Sequence, residues 1–215
     1  MYDLHTHTLL SDGEMLPAEL VRRAAVQGYT VIAITDHADA STLSTVLLPL
    51  FEVRSSAAYF GVELLCGVEL THVPPPEIPV LARRAKDLGA DLVVVHGETT
   101  AEPVAPGTNR AACGCADVDL LAHPGLITDA DAALARENDI ALELTSRRGH
   151  NRTNGHVLAA ARRAGCHLLI NSDAHAPGDI MTPEERVFVA RGAGMTEGEC
   201  TRALSPKEGL LARLR

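Results

Sequence analysis

This 215-residue sequence predicts an α/β fold and, within that class, a (β/α) barrel of parallel strands. Three observations carry the prediction. Short apolar runs of strand length alternate with helical patterns, the arrangement of repeated β/α units. Residue types that bind metals stand at the ends of successive runs, and a barrel gathers the C-terminal ends of its strands on one face. Hydrophobic residues make up 46% of the chain, yet aromatics reach only 3% and Trp is absent. The core must therefore be built of Leu, Val, Ile and Ala, which suits a barrel interior packed by branched aliphatics.

The first strand, residues 1–4, runs into His5, Thr6 and His7. Side chains two apart on an extended strand share a side, so both imidazoles can face one ion. Asp12 follows in a Ser11-Asp12-Gly13 turn. A helix is predicted over 17–27, with Pro17 in its first turn, an apolar face of Leu20, Val21, Ala24 and Ala25, and Gly28 as its stop. The second strand, 30–35, ends at Asp36-His37, and a helix over 41–59 follows, with Pro49 as its break point. The third strand, 62–68, delivers Glu69. The run Pro74-Pro75-Pro76 is expected to be a stiff non-helical loop at the rim of the site. A helix over 78–88 stops at Gly89. The fourth strand, 92–95, leads to His96, and a short helix is predicted at 108–115. The fifth strand, 119–122, leads to His123, where Pro124-Gly125 turns the chain. The sixth strand spans 140–144, and 166–171 leads through Ser172 to Asp173 and His175. Helices over 129–138, 153–164 and 182–191 complete the ring, with terminal helices expected at 196–204 and 206–214.

Length fits a single domain over residues 1–215. The apolar runs are too short to span a membrane, and Met1 opens directly on the first strand without a signal segment, so the expected localisation is cytoplasmic. Five cysteines without a disulfide-framework pattern fit reduced thiols, and Cys113-Gly114-Cys115 has the wrong spacing for the usual zinc pair. The formal charge of −9 repels anions as a whole-molecule field. Attraction for a phosphate must then be local. No basic track for nucleic acid is visible, because Arg83-Arg84 and Arg162-Arg163 fall on helices as solvated faces.

The motifs resemble those of the PHP superfamily, named for polymerase and histidinol phosphatase, over nearly the whole chain. The first motif corresponds to His5, His7 and Asp12, the second to His37, the bridging carboxylate to Glu69, and the later motifs to His96, His123, Asp173 and His175. The resemblance implies a distorted (β/α)7 TIM-like barrel of the PHP type with a trinuclear site for three divalent metal ions. It puts His5 and His7 on one ion, completed by Asp173, and His96 and His123 on a second, with Glu69 bridging. It puts Asp12, His37 and His175 on a third. Imidazole and carboxylate ligands without thiolate suit Zn, Mn or Fe. The implied chemistry is hydrolysis of a phosphate ester by a metal-bridged hydroxide, with Glu69, Asp173 and His175 as the catalytic set.

On the substrate side, Arg147 follows the sixth strand and emerges on the ligand face, where it is the preferred phosphate clamp. Arg110 is a weaker version of the same idea. His72, in the loop after Glu69, is a candidate substrate contact. His150 is a candidate general acid, weighed against a plain surface histidine. The expected function is a histidinol-phosphatase-like phosphatase acting on a small phosphorylated metabolite, with the acidic balance arguing against nucleic acid. The alternatives are a phosphodiesterase or exonuclease of the same family and a non-catalytic metal-binding domain.

Overall fold

In the computed structural model, which describes residues 1–205, the apolar runs form strands at the expected places, and His37 and Ala38 add a short strand that was not expected. They are β1 (Tyr2–Asp3), β2 (Val31–Ile34), β3 (His37–Ala38), β4 (Glu63–Leu70), β5 (Leu92–His96), β6 (Leu120–Ala122), β7 (Ala141–Thr145) and β8 (Leu168–Asn171). The helices are α1 (Pro17–Val26), α2 (Leu43–Phe51), α3 (Arg54–Tyr59), α4 (Ile78–Asp87), α5 (Thr108–Cys113), α6 (Asp129–Glu137), α7 (Asn154–Ala164), α8 (Pro183–Ala193) and α9 (Glu197–Leu204). The helix expected at 206–214 lies outside the described residues.

All strand pairs are parallel, in the order β1-β2-β4-β5-β6-β7-β8, with the short β3 set beside the end of β4. A single parallel bridge from Thr6 to Ala174 joins the two edges. His7 N–H donates to the Ala174 carbonyl at 2.8 Å and Asp173 N–H to that of His5 at 3.0 Å. The seam of the barrel therefore runs between the two segments that carry His5, His7, Asp173 and His175. This is the expected seven-stranded barrel, nearly closed.

Alternation along the strands sorts the apolar residues into two layers. Tyr2, Leu4, Val31, Ala33, Leu65, Leu92, Val94, Leu120, Ala122, Ala141 and Leu169 form one cluster, the inward positions of a packed barrel. Ile32, Ile34, Val93, Val95, Leu121, Leu142 and Ile170 belong to the other, which meets the helices. Gly67 of β4 is required by close approach, since a Cβ there would lie 2.6 Å from the Leu92 carbonyl oxygen.

Two local expectations are corrected. Pro49 lies inside α2, and the chain breaks after it, at Glu52 and Val53, which donate back to Pro49 and Leu50 in tight three-residue turns. The proline run is also partly helical: Pro75–Glu77 is a 3₁₀ turn that feeds α4. Proline is tolerated there because first-turn N–H groups have no intrahelical acceptor to lose.

Candidate metal centre

The expected ligands sit at or just beyond strand ends, except Asp12, which lies in the loop between β1 and α1. The Asp36 carboxylate accepts from Thr8 N–H at 2.7 Å, Thr8 Oγ1 at 2.7 Å and Ser11 Oγ at 2.6 Å, which fixes the loop that carries Asp12. The Asp3 carboxylate accepts from the N–H groups of His5 at 3.2 Å and Ser172 at 3.0 Å, tying together both sides of the seam. His123 and Asp173 stand at φ 27° and 55°. Positive φ is costly for residues with a Cβ and is kept where surrounding contacts impose it, often at functional sites.

All nine expected ligands converge. Their donor atoms form overlapping groups, each close enough to hold an ion: His5, His7 and Glu69; His5, His123 and Asp173; His96, His123 and His150; and His7, Asp12, His37 and His175. Glu69 is central. Its Oε1 lies 3.3 Å from His5 Nε2 and 3.7 Å from His123 Nε2, and its Oε2 lies 2.7 Å from His37 Nδ1 and 3.8 Å from His7 Nε2. Asp173 Oδ1 reaches His7 Nε2 at 3.3 Å, and its Oδ2 reaches His123 Nε2 at 3.6 Å. Asp12 Oδ1 lies 3.2 Å from His175 Nε2 and 3.4 Å from His37 Nε2.

Buried donors without partners test whether divalent ions fit. His5 Nε2, both nitrogens of His7, Glu69 Oε1 and the Nδ1 atoms of His96, His123 and His150 are buried and make no hydrogen bond with any described residue. Buried polar atoms of this kind normally find partners. So many in one cluster, all nitrogen or carboxylate oxygen and none thiolate, match the requirements of a divalent transition ion. The residues fit.

Electrostatics inside the cluster follow from the same crowding. Burial and then the neighbouring His37 and His5 hold the His7 imidazole well below its ordinary range. Burial and then His96 do the same to His123, leaving neutral imidazoles of the kind metals bind. Burial would lower His5, but Glu143, Asp173 and Glu69 raise it well above that range. Burial pushes the Asp173 carboxyl up to about 7. Burial also works to raise Glu69, yet His5 and His37 hold it well below the usual carboxylate range.

An open cavity of about 760 Å³ lies over the cluster, lined by Asp12, His37, His96, His123, Asp173 and His175 and by His72, Glu102, Arg147, Arg148 and His150. His72 and His150 thus reach the site. Arg147 reaches it too, though its guanidinium is held 3.3 Å from Asp179. Arg110 does not line the cavity. It projects from α5 to Asp131 of α6 at 3.1 Å, because the fourth barrel unit turns that helix face toward the next helix.

His150 is not a surface histidine: its side chain is 12% exposed, it stands 4.3 Å from His123 ring to ring, and it joins a ligand group. Glu102 was missed. It lies 2.8 Å from His96 Nε2 and 3.7 Å from His150 Nε2. Glu143 was missed as well, although an acid inside the apolar run 140–144 was a visible signal. Fully buried on β7, it faces His5 Nδ1 at 2.9 Å and accepts from Asn171 Nδ2 at 2.8 Å and His123 N–H at 3.0 Å. A carboxylate behind a histidine fixes its tautomer and raises its basicity. Glu143→Gln is accordingly expected to weaken metal affinity about 10-fold or more, measured by competition with a chromogenic chelator. An unchanged affinity would make Glu143 a packing residue only.

Fold and site together define a metal-dependent phosphoesterase type of barrel. The chain belongs to the PHP domain family, whose model matches residues 3–177. It is 50% identical over 217 residues to an uncharacterized protein of Methanocaldococcus jannaschii, covering 99% of both chains. It is 29% identical to Ribonuclease P protein component 3 of Methanosarcina mazei, over 95% of this chain and 85% of that one. A Listeria monocytogenes structure named for histidinol phosphatase shares the fold with a TM-score of 0.64 at 12% identity, covering 86% of this chain and 99% of that one.

The expectation of a small phosphorylated metabolite, with nucleic acid argued against, is overturned by the match to the ribonuclease P component. Net charge misled because it is an average. Many acids are spent on the helical shell, as in Asp119 with Lys86, Asp129 with Arg163 and Glu199 with Arg162, while the cavity wall carries two arginines. Among the described residues no helix is long and apolar enough to cross a membrane.

Proposed function

We propose that the protein is a metal-dependent phosphodiesterase that cleaves single-stranded nucleic acid, with RNA as its substrate class. The observation that carries this reading is the set of unpartnered imidazole and carboxylate atoms at the floor of an open cavity. The full-length likeness to a ribonuclease P component supports RNA over a small metabolite.

In this reading three divalent ions, of Zn, Mn or Fe, are held by His5, His7, Asp12, His37, Glu69, His96, His123, Asp173 and His175, with His150 as a further donor. Bound ions would supply the positive charge that draws in phosphoryl oxygens and makes a water acidic. The chain does the rest by placement. Glu69 keeps the neighbouring imidazoles at fixed separation through two oxygens that face four histidines. Asp173 reaches His7 and His123 and also borders the cavity, so its carboxylate stands where a proton leaving the attacking water can be taken up. Glu143 holds His5 from behind. The cavity is open, which admits a strand end, and His5, His7 and Glu69 lie fully buried beneath its floor.

The test uses metal-reconstituted protein with bis(p-nitrophenyl) phosphate and with end-labelled single-stranded RNA. Release of p-nitrophenol and progressive shortening of the RNA are expected, and a chelator should abolish both, with activity restored by one of the three metals. Metal-loaded protein that cleaves neither substrate would refute the reading.

A further inference from the structure

A second cavity, of about 670 Å³, opens beside the first and is lined by Ser146, Arg147, Arg148, Gly178, Met181 and Phe188, among others. Arg147 and Arg148 border both cavities, so the two spaces meet at the loop that follows β7. The two arginines differ. Arg147 is engaged by Asp179, whose carboxylate also accepts from the N–H groups of His175 at 3.0 Å and Ala176 at 2.9 Å. Arg148 is exposed and has no ion pair or hydrogen bond with any described residue. On the far side, α8 buries Arg186 and Ala190 and turns Phe188 outward, leaving that ring 61% exposed at the cavity.

We propose that this second cavity is a nucleotide site, in which Arg148 anchors the phosphate next to the scissile one and Phe188 stacks against the base beyond it. The assignment rests on the phosphodiesterase reading and names how a strand lies across the site. A guanidinium without a partner among the described residues, at the junction of two cavities, matches a phosphate linking their occupants. An aromatic face next to an arginine free to hold phosphate is the pairing used to stack a base of a single strand. Two acids on the wall, Asp179 and Glu185, are already engaged, Glu185 by Thr182 N–H at 2.7 Å and Oγ1 at 2.9 Å. They disfavour a phosphate deep in the cavity. The charge therefore stays at Arg148 and the uncharged base goes inward.

The experiment compares Phe188→Ala and Arg148→Ala with the parent protein, all metal-loaded, on bis(p-nitrophenyl) phosphate and on a single-stranded RNA trinucleotide. The ratio of KM for the trinucleotide to KM for the small diester is expected to rise about tenfold in each variant. For Arg148→Ala the salt dependence of log KM on the trinucleotide should also flatten, by a slope of roughly 0.7. Binding of a fluorescent RNA to the Glu69→Gln protein, with and without Phe188→Ala, gives a second readout that needs no turnover and should show the same loss. An unchanged ratio together with unchanged binding overturns the second site, as does an equal rise in KM on both substrates. Loss of turnover on both substrates in the parent protein would instead overturn the phosphodiesterase reading, and the binding comparison would then still report on the cavity.

Discussion

Glu69→Gln is expected to lower turnover of either phosphodiester about a thousandfold, equivalent to ~4 kcal/mol of transition-state stabilisation. The side chain keeps its size, so little packing is lost, but one negative charge leaves a site where it faces His5, His7, His37 and His123 within 3.8 Å. It is fully buried, and water cannot replace it. The amide would also present N–H donors to imidazole nitrogens that have to be free for an ion. Metal content should fall by at least one ion per chain, measured by plasma mass spectrometry, while the circular dichroism spectrum stays that of the parent. Full activity with a full metal complement would reduce Glu69 to a structural acid and break the argument that this carboxylate is shared.

The nine residues that converge on the cavity floor were legible because each is a local signal. A histidine or acid at a strand end can be seen from sequence, and the barrel rule alone places such ends on one face. Helix limits were legible for a similar reason, except where proline acted by position: Pro49 and Pro75 sit in helical turns that propensity alone would forbid. What escaped depends on pairings between distant segments. Glu143 could be seen as an odd acid in a strand, but its role appears only when β7 places it behind His5, 138 residues away. Arg147 and Arg148 are adjacent and chemically alike in sequence. The return of the chain after β8 engages one of them with Asp179 and leaves the other without a partner among the described residues. Glu102 and His150 come together over His96 through loops whose paths no periodicity encodes. The charge argument failed for a related reason, since the sum over a chain says nothing about where the cations stand.

Arg186→Met is expected to cost about 2–4 kcal/mol of stability, from loss of a buried charged hydrogen bond and of the stacking on two tyrosine rings. Arg186 on α8 is only 2% exposed. Its guanidinium lies 4.5 Å from the Tyr2 ring and 5.8 Å from the Tyr29 ring, and it donates to the Ile170 carbonyl at 3.2 Å. It thereby joins α8 to β1 and β8, the two strands at the seam. Its acidic neighbour is Asp3, whose carboxyl burial pushes up to about 6 against the opposing influence of hydrogen bonds from Ser172 and the charge of Arg186. Asp3 in turn holds the backbone of His5 and Ser172, so loss of Arg186 reaches the ligand segments through one intermediate. Urea unfolding at neutral pH with metal bound measures the cost, and the melting temperature should fall by roughly 10 °C. Arg186→Lys keeps the charge but not the planar stacking or the fork of donors, and should recover only part. Asp3→Asn in the Met background should also recover part, because the acid left without its cation is then neutral. A loss under about 1 kcal/mol in Arg186→Met, or an Asp3→Asn substitution that only adds to it, would mean that Arg186 is not part of what holds the seam.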